Sequence, residues 1–268
     1  MAAQKPVARP KFEEYKEKYK DYITMERKNG IIVLRMHHDD GPVLWNEMMH
    51  CALPQAFHDI GNDPENHVMI LTSTDPYWIG VMDHDADFVM DYNTYYVDAT
   101  KLLENLIFDV DIPTIAAVNG PGFHTEIALL CDMTLCTDDV VFQDGHFSLG
   151  FVPGDGQLVT LQELIGAKRA AHMVYTGENI DAKTALAWGM INEVVPKDKL
   201  MARALELAEK IMKQTRATRC MTHHLLTRDW KRRLINDFQF HITQEGFASL
   251  IDRPQHDLNK LREKWEEE

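Results

Sequence analysis

Residues 116–157 read AAVNGPGFHTEIALLCDMTLCTDDVVFQDGHFSLGFVPGDGQ. The apolar run Thr114–Val118 stops at Asn119-Gly120, which predicts a buried strand that empties into a loop. A helix-like run, Glu126 to Cys131, follows. Two histidines, His124 and His146, stand beside glycines and prolines. Asp155 sits in a tight Pro-Gly-Asp-Gly turn nine residues after His146. A histidine held at a strand-to-helix turn, with a second histidine and a carboxylate nearby, is a candidate acid/base site. Taken singly, each has an ordinary reading: His146 as a loop histidine and Asp155 as a turn residue, since Asp favours such turns.

Upstream of this stretch, Arg27-Lys28-Asn29-Gly30 separates two strand-like runs, Tyr22 to Glu26 and Ile31 to Met36, as a hairpin. Trp45 is expected to open a helix through Ile60, with Met48, Leu53, Phe57 and Ile60 on one face. Val68 to Leu71 reads as a strand. Thr72 to Met82 reads as a loop, in which Gly80 permits close approach of backbone to a ligand. Leu102, Leu103, Leu106, Ile107 and Val110 mark an amphipathic helix. Downstream, Met133 to Cys136 and Val140 to Phe142 are short strands. Helices over Leu158–Ile165, Arg169–Tyr175 and Ala182–Trp188 precede a last strand, Ile191 to Val195. Met201 to Met212 and a tail broken at Pro254 are helical. Strands alternating with helices, followed by helices alone, define an α/β core with a helical C-terminal part. The divisions expected are an N-terminal arm at residues 1–21, mobile or a short surface helix, a core at 22–198 and a helical region at 199–268.

The 268 residues suffice for a full core, and 45% hydrophobic with 26% charged residues are globular values. A net charge of −14 argues against nucleic acid and anionic membrane partners. No window approaches the length of a membrane span, and the start lacks an apolar signal core, so a cytoplasmic location is expected. The four cysteines, Cys51, Cys131, Cys136 and Cys220, include no C-x-x-C pair and are expected to be free thiols. His37-His38-Asp39-Asp40-Gly41 and Asp83-His84-Asp85-Ala86-Asp87 offer ligand atoms without ligand spacing. They read as a solvated loop and a solvated helix start, and no metal or cofactor is expected.

The motifs resemble the crotonase superfamily, the enoyl-CoA hydratase/isomerase fold, from about Gly30 to Leu250. Ile112-Pro113-Thr114-Ile115-Ala116-Ala117-Val118-Asn119-Gly120 is similar to that family's strand into its second oxyanion loop. Leu130-Cys131-Asp132 matches the C-D that closes the next helix. Leu149-Gly150-Phe151-Val152-Pro153-Gly154-Asp155-Gly156 matches L-G-x-x-P-G-x-G. Thr176 to Ala182, with Trp188 to Asn192, matches T-G-x-x-I-x-A…A-x-x-x-G-L-V. The resemblance implies a crotonase-type spiral of ββα units and a C-terminal helical trimerisation region, hence a homotrimer or a dimer of trimers.

The departures from the family pattern point to the reaction. The N-G-x-x-x-G-G-G loop is two residues shorter here, and His124 replaces its glycines. The first oxyanion segment reads Trp78-Ile79-Gly80-Val81-Met82-Asp83-His84, with weak cues for coenzyme A. Glu126 falls on the first hydratase glutamate, whereas His146 replaces the second. This set resembles the coenzyme-A-independent β-diketone hydrolases, the 6-oxocamphor hydrolase group, whose pattern is matched in order by Trp45, His50, His124, His146, Asp155 and Glu245.

That resemblance implies hydrolysis of a small-molecule 1,3-diketone: water adds to one carbonyl, and the C–C bond breaks to leave an enolate. His146 is then the base, oriented by Asp155 through its other ring nitrogen. His124 donates to a developing oxyanion, a role typically worth ~3 kcal/mol. Glu245 holds water or returns the proton, while Trp45, His50 and Gly80 line the substrate. The sequence does not separate Glu126 from Glu245 in importance. Two rivals stand: an enzyme acting on an acyl-CoA thioester, and a non-catalytic binding module of the same fold.

Overall fold

The computed structural model describes residues 7–82 and 92–252. The strands are β1 (Ile23–Lys28), β2 (Ile31–Met36), β3 (Leu44–Trp45), β4 (Val68–Ser73), β5 (Val81–Met82), β6 (Thr114–Val118), β7 (Met133–Cys136), β8 (Val141–Phe142), β9 (Ile180–Asp181) and β10 (Glu193–Val194). The helices are α1 (Phe12–Tyr19), α2 (Glu47–Asn62), α3 (Ala99–Glu104), α4 (Glu126–Leu129), α5 (Gln157–Thr176), α6 (Ala182–Trp188), α7 (Leu200–Met212), α8 (Arg216–Leu226), α9 (Arg228–Arg233) and α10 (Gln239–Asp252).

Six strands form the main sheet in the order β1-β2-β4-β6-β7-β10. Only β1 and β2, the expected Asn-Gly hairpin, are antiparallel. The others pair in parallel. Parallel strands covered on both faces read as continuous apolar runs, and every residue of β4 and β6 is buried. Met69, Leu71, Ala116 and Val118 face the larger core. Val68, Ile70, Ile115 and Ala117 face the other side, where Leu200, Ala204 and Ala208 of α7 close over them. Small residues at this contact let the helix approach the sheet closely. The sheet is the α/β crotonase fold that the motifs imply, with helices following it.

Four expectations are corrected. Trp45 does not open α2; it lies on β3, paired with Met82 of β5. The Asn46 side chain accepts from Met49 N at 2.9 Å and caps the helix one residue later. The buried face of α2 accordingly holds Met49, while Met48 is half exposed. The segment before β1 is neither a mobile arm nor a mere surface helix, because α1 buries Phe12, Tyr15 and Tyr19. Tyr15 donates to Asp63 Oδ2 at 2.9 Å. Finally, the 102–110 helix changes pitch midway: α3 runs into a π-helical turn at Asn105–Asp109. The Asp83–Asp87 segment and the break at Pro254 lie outside the described residues.

Candidate active site

The carboxyl end of β6 delivers the first loop. Two glycines let it press against the 75–80 segment: a Cβ on Gly120 would fall 1.9 Å from Pro76 O, and one on Gly122 would fall 2.6 Å from Ile79 N. Trp78 N donates to Pro121 O at 3.0 Å and Phe123 N to Ile79 O at 2.9 Å. The Trp78 indole N–H donates to His124 O at 3.2 Å. So clamped, His124 takes a left-handed backbone, φ +51°, a conformation that persists only where its surroundings fix it. Its ring is turned back on the start of α4, where Nδ1 meets Glu126 Oε1 at 2.7 Å.

The second loop supplies His146, and the Pro-Gly-Asp-Gly turn before α5 supplies Asp155. Asp155 Oδ2 lies 3.4 Å from His124 Nδ1 and 3.3 Å from His146 Nε2, so one carboxylate oxygen is shared by both rings. The far nitrogen of His146 is not free. Its Nδ1 lies 3.1 Å from Asp144 Oδ1, the same oxygen that accepts from His146 N at 2.8 Å. Glu245 enters from α10, where its Oε2 accepts from Gly154 N at 3.1 Å. Gly154 is required at this crossing, since a Cβ there would lie 2.3 Å from His241 O. His146, Asp155 and Glu245 thus offer ligand atoms within 4.8 Å of one another, as do His124, Glu126 and Asp155.

The predicted wall residues are partly assembled. The Trp45 ring packs against His124 with centroids 4.3 Å apart and planes tilted by 35°, and meets His50 edge-on at 5.4 Å. Both Trp45 and His50 are buried. Gly80 follows the clamped segment and is exposed. A Cβ there would lie 2.3 Å from the Tyr77 ring, which accounts for its glycine by local packing.

The charges follow from these contacts. Burial pushes Asp155 up, but the charges of His146 and His124 outweigh it and hold the carboxyl well below its usual range. Burial lowers His146, yet Asp155 and Asp144 together raise it well above an ordinary histidine. His124 is likewise raised, by Glu126 and then Asp155, against the pull of burial. Glu245 is pushed up to about 7 by burial and by the neighbouring Asp155 charge. His50 falls to about 4, through burial and then the His124 charge, and is neutral. Tyr95 stands beside Glu245 with its hydroxyl buried.

The four expected catalytic residues therefore meet in one cluster. Glu126 and Glu245 both belong to it, Glu126 behind His124 and Glu245 across from His146. Sequence reasoning missed Asp144 and Tyr95. Asp144 carried a signal, an acid two residues before a candidate histidine; Tyr95 carried none. Either three-residue group has a donor set that suits a transition cation. In each group the histidine nitrogen already faces a carboxylate, and a cation would have to break that contact to enter.

The enoyl-CoA hydratase/isomerase pattern matches residues 26–266. Carnitinyl-CoA dehydratases of Citrobacter koseri and Salmonella enteritidis are 41% and 34% identical over 108 and 173 residues, or 40% and 60% of this chain. The chain spans 41% and 63% of the length of these two curated relatives. A β-diketone hydrolase of the cyanobacterium Anabaena, solved with (S)-3-oxocyclohexyl acetic acid, is 32% identical with a TM-score of 0.85, over 90% of this chain and 98% of that one. An enoyl-CoA hydratase/isomerase structure from Mycobacterium paratuberculosis, 20% identical with a TM-score of 0.77 over 91% and 98% of the two chains, shares the fold. The chain belongs to the enoyl-CoA hydratase/isomerase family, the crotonase superfamily.

Proposed function

We propose that this protein hydrolyses the C–C bond of a cyclic or bicyclic 1,3-diketone by a retro-Claisen reaction, giving a keto acid without coenzyme A. The observation that carries the reading is the Asp155 oxygen shared between His124 and His146. Both rings are drawn toward the cationic form around that oxygen, which suits a reaction in which negative charge develops on two substrate oxygens in turn. The shared fold and identity with the Anabaena β-diketone hydrolase support the same reading. His124 has Nδ1 engaged by Glu126 and keeps Nε2 for a substrate oxygen. Trp45, packed against that ring at a 35° tilt, restrains it.

A second reading, action on an acyl-CoA thioester, is favoured by Glu126 and by the carnitinyl-CoA dehydratase relatives. Against it, Glu126 is committed to His124 and fully buried behind it. The deciding assay offers cyclic 1,3-diketones without coenzyme A, and crotonyl-CoA separately, to wild type and His146→Ala. Keto acid from wild type but not from the variant is the expected result. Turnover of crotonyl-CoA alone would overturn it.

The C-terminal helices expose Met221, Leu225, Ile235, Phe240, Phe247 and Leu250, each more than half accessible. Such a face supports self-association, and we propose a homotrimer or dimer of trimers, to be checked by light scattering. Among the described residues no helix is long and apolar enough to cross a membrane.

A further inference from the structure

We infer that Glu245, and not His146, takes the proton from the attacking water, while His146 works as a fixed imidazolium gripped between Asp144 and Asp155. This assignment rests on the diketone reading and divides its chemistry differently from a histidine–aspartate dyad.

The geometry around His146 is the first ground. A neutral imidazole has one N–H and one lone pair. Here both ring nitrogens face carboxylate oxygens, Nδ1 at 3.1 Å from Asp144 and Nε2 at 3.3 Å from Asp155. A lone pair aimed at either carboxylate would be repelled, so both nitrogens carry hydrogen and neither can accept from water. The Asp144 side chain is fully buried and also receives His146 N, which locks the ring in this orientation.

Glu245 is the second ground. Gly154 N–H donates to Oε2 and orients the carboxyl group, whose other oxygen the proposal gives to the attacking water. Asp155 and His146 face Glu245 from the turn and the second loop, and Tyr95 faces it from the π-helical turn Tyr92–Asp98. His124, from the loop after β6, is the remaining charged neighbour of His146. Buried beside a second carboxylate, Glu245 titrates near neutrality, where a general base is most effective. Against the pull of burial, Asp155 and Asp144 raise His146 well above its ordinary value, in keeping with the charged form.

The step balances without any further reactant. Glu245 removes a proton from water as the oxygen bonds to the carbonyl carbon, and the carbonyl π pair moves onto oxygen, to which His124 Nε2–H donates a hydrogen bond. Collapse of this intermediate breaks the C–C bond, and its electron pair passes to the enolate. The proton held by Glu245 then goes to the enolate carbon. One water and one diketone become one keto acid.

Asp144→Asn separates the two assignments, because Asn can still accept from His146 N and Nδ1 while its charge is gone. His146 must then titrate lower. With Glu245 as base, the basic limb of the kcat–pH profile, set by loss of the imidazolium, moves to lower pH by about one unit or more, and the acid limb stays. With His146 as base, the acid limb moves down instead, and the inference is overturned. Unchanged limbs would overturn the part given to Asp144. Wild-type 15N-histidine NMR, with His146 assigned by difference from His146→Gln, reads the same point without substrate. Two protonated ring nitrogens at neutral pH are expected, and a neutral ring would overturn the inference. Wild type that cleaves no diketone would overturn the diketone reading and this division of labour with it; a diketone cleaved with the limbs moving the wrong way overturns the division alone.

Discussion

His146 Nε2 lies 3.3 Å from Asp155 Oδ2, and the two residues arrive from different loops on either side of a short helical turn. Asp155 therefore has two duties: it holds the charge on both histidines and keeps Glu245 from ionising early. Asp155→Asn removes both while keeping an oxygen for Gln157 N, which Asp155 Oδ1 receives at 3.3 Å. The expected outcome is a loss in kcat of roughly 10²-fold or more. The residual activity should have its acid limb displaced to lower pH, because the like charge that lifts Glu245 is gone. Steady-state kinetics across pH on a cleaved diketone checks both.

His124 combines function with a left-handed backbone, φ +51°. Asn tolerates that region well, whereas a β-branched residue does not. Both His124→Asn and His124→Val lose the contacts with Glu126 and Asp155, and the Val variant should be the less stable of the two by roughly 1–3 kcal/mol. Both should lose kcat by about 10²-fold, the loss expected for one oxyanion donor. Parallel melting curves and kinetics on the two variants separate backbone strain from chemistry. Equal stability of the two would refute the strain argument.

Much of this was legible in the sequence, and the limits have physical causes. The hairpin follows from Asn29-Gly30, and the buried parallel strands follow from their continuous apolar runs. The His124 loop and the Pro-Gly-Asp-Gly turn announced themselves by glycines that the structure shows to be steric requirements at Gly120, Gly122 and Gly154. The start of α2 was misplaced because Asn46 and not Trp45 caps it, and Met48 is off the buried face because Met49 keeps the four-residue step to Leu53 and Phe57. Asp144 was passed over because a carboxylate two residues from a histidine reads as a solvated loop until its burial is known. Tyr95 was invisible because its approach to Glu245 depends on how α10 crosses the 92–98 turn.

Glu245 should trade stability for activity. Its pKa rises from 4.5 in the free side chain to about 7 in the fold. A carboxyl group raised in this way binds its proton more tightly when folded, so the fold loses stability as pH climbs from about 4.5 to about 7 and stays penalised above that. Glu245→Gln keeps an acceptor for Gly154 N and removes the charge. The variant should match wild type near pH 4.5 and exceed it above pH 7, by up to about 3 kcal/mol, with activity abolished. Denaturant unfolding at several pH values gives the difference directly, and a variant less stable than wild type at pH 8 would contradict the account.

Asp132 belongs to the motif that the family places after its helix, and here its work is structural. One buried oxygen, Oδ2, accepts from Thr114 N at 2.8 Å, from Thr114 Oγ1 at 3.2 Å and from His223 Nδ1 at 2.7 Å. It thereby ties the start of β6 and the end of the α4 segment to helix α8. Removing the carboxylate strands three donors in a region where His223 is only 2% accessible. Asp132→Ala should therefore destabilise the chain by about 2–4 kcal/mol, because unpaired buried donors forfeit their full solvation. Asp132→Asn should recover part of this, since its one oxygen can still accept from Thr114 N. Asp132 touches none of the four groups around Asp155, so kcat of the folded fraction should remain within about twofold of wild type. Melting temperature and kcat measured on the same preparations decide it: a stable variant with lost kcat would move Asp132 from scaffold to machinery.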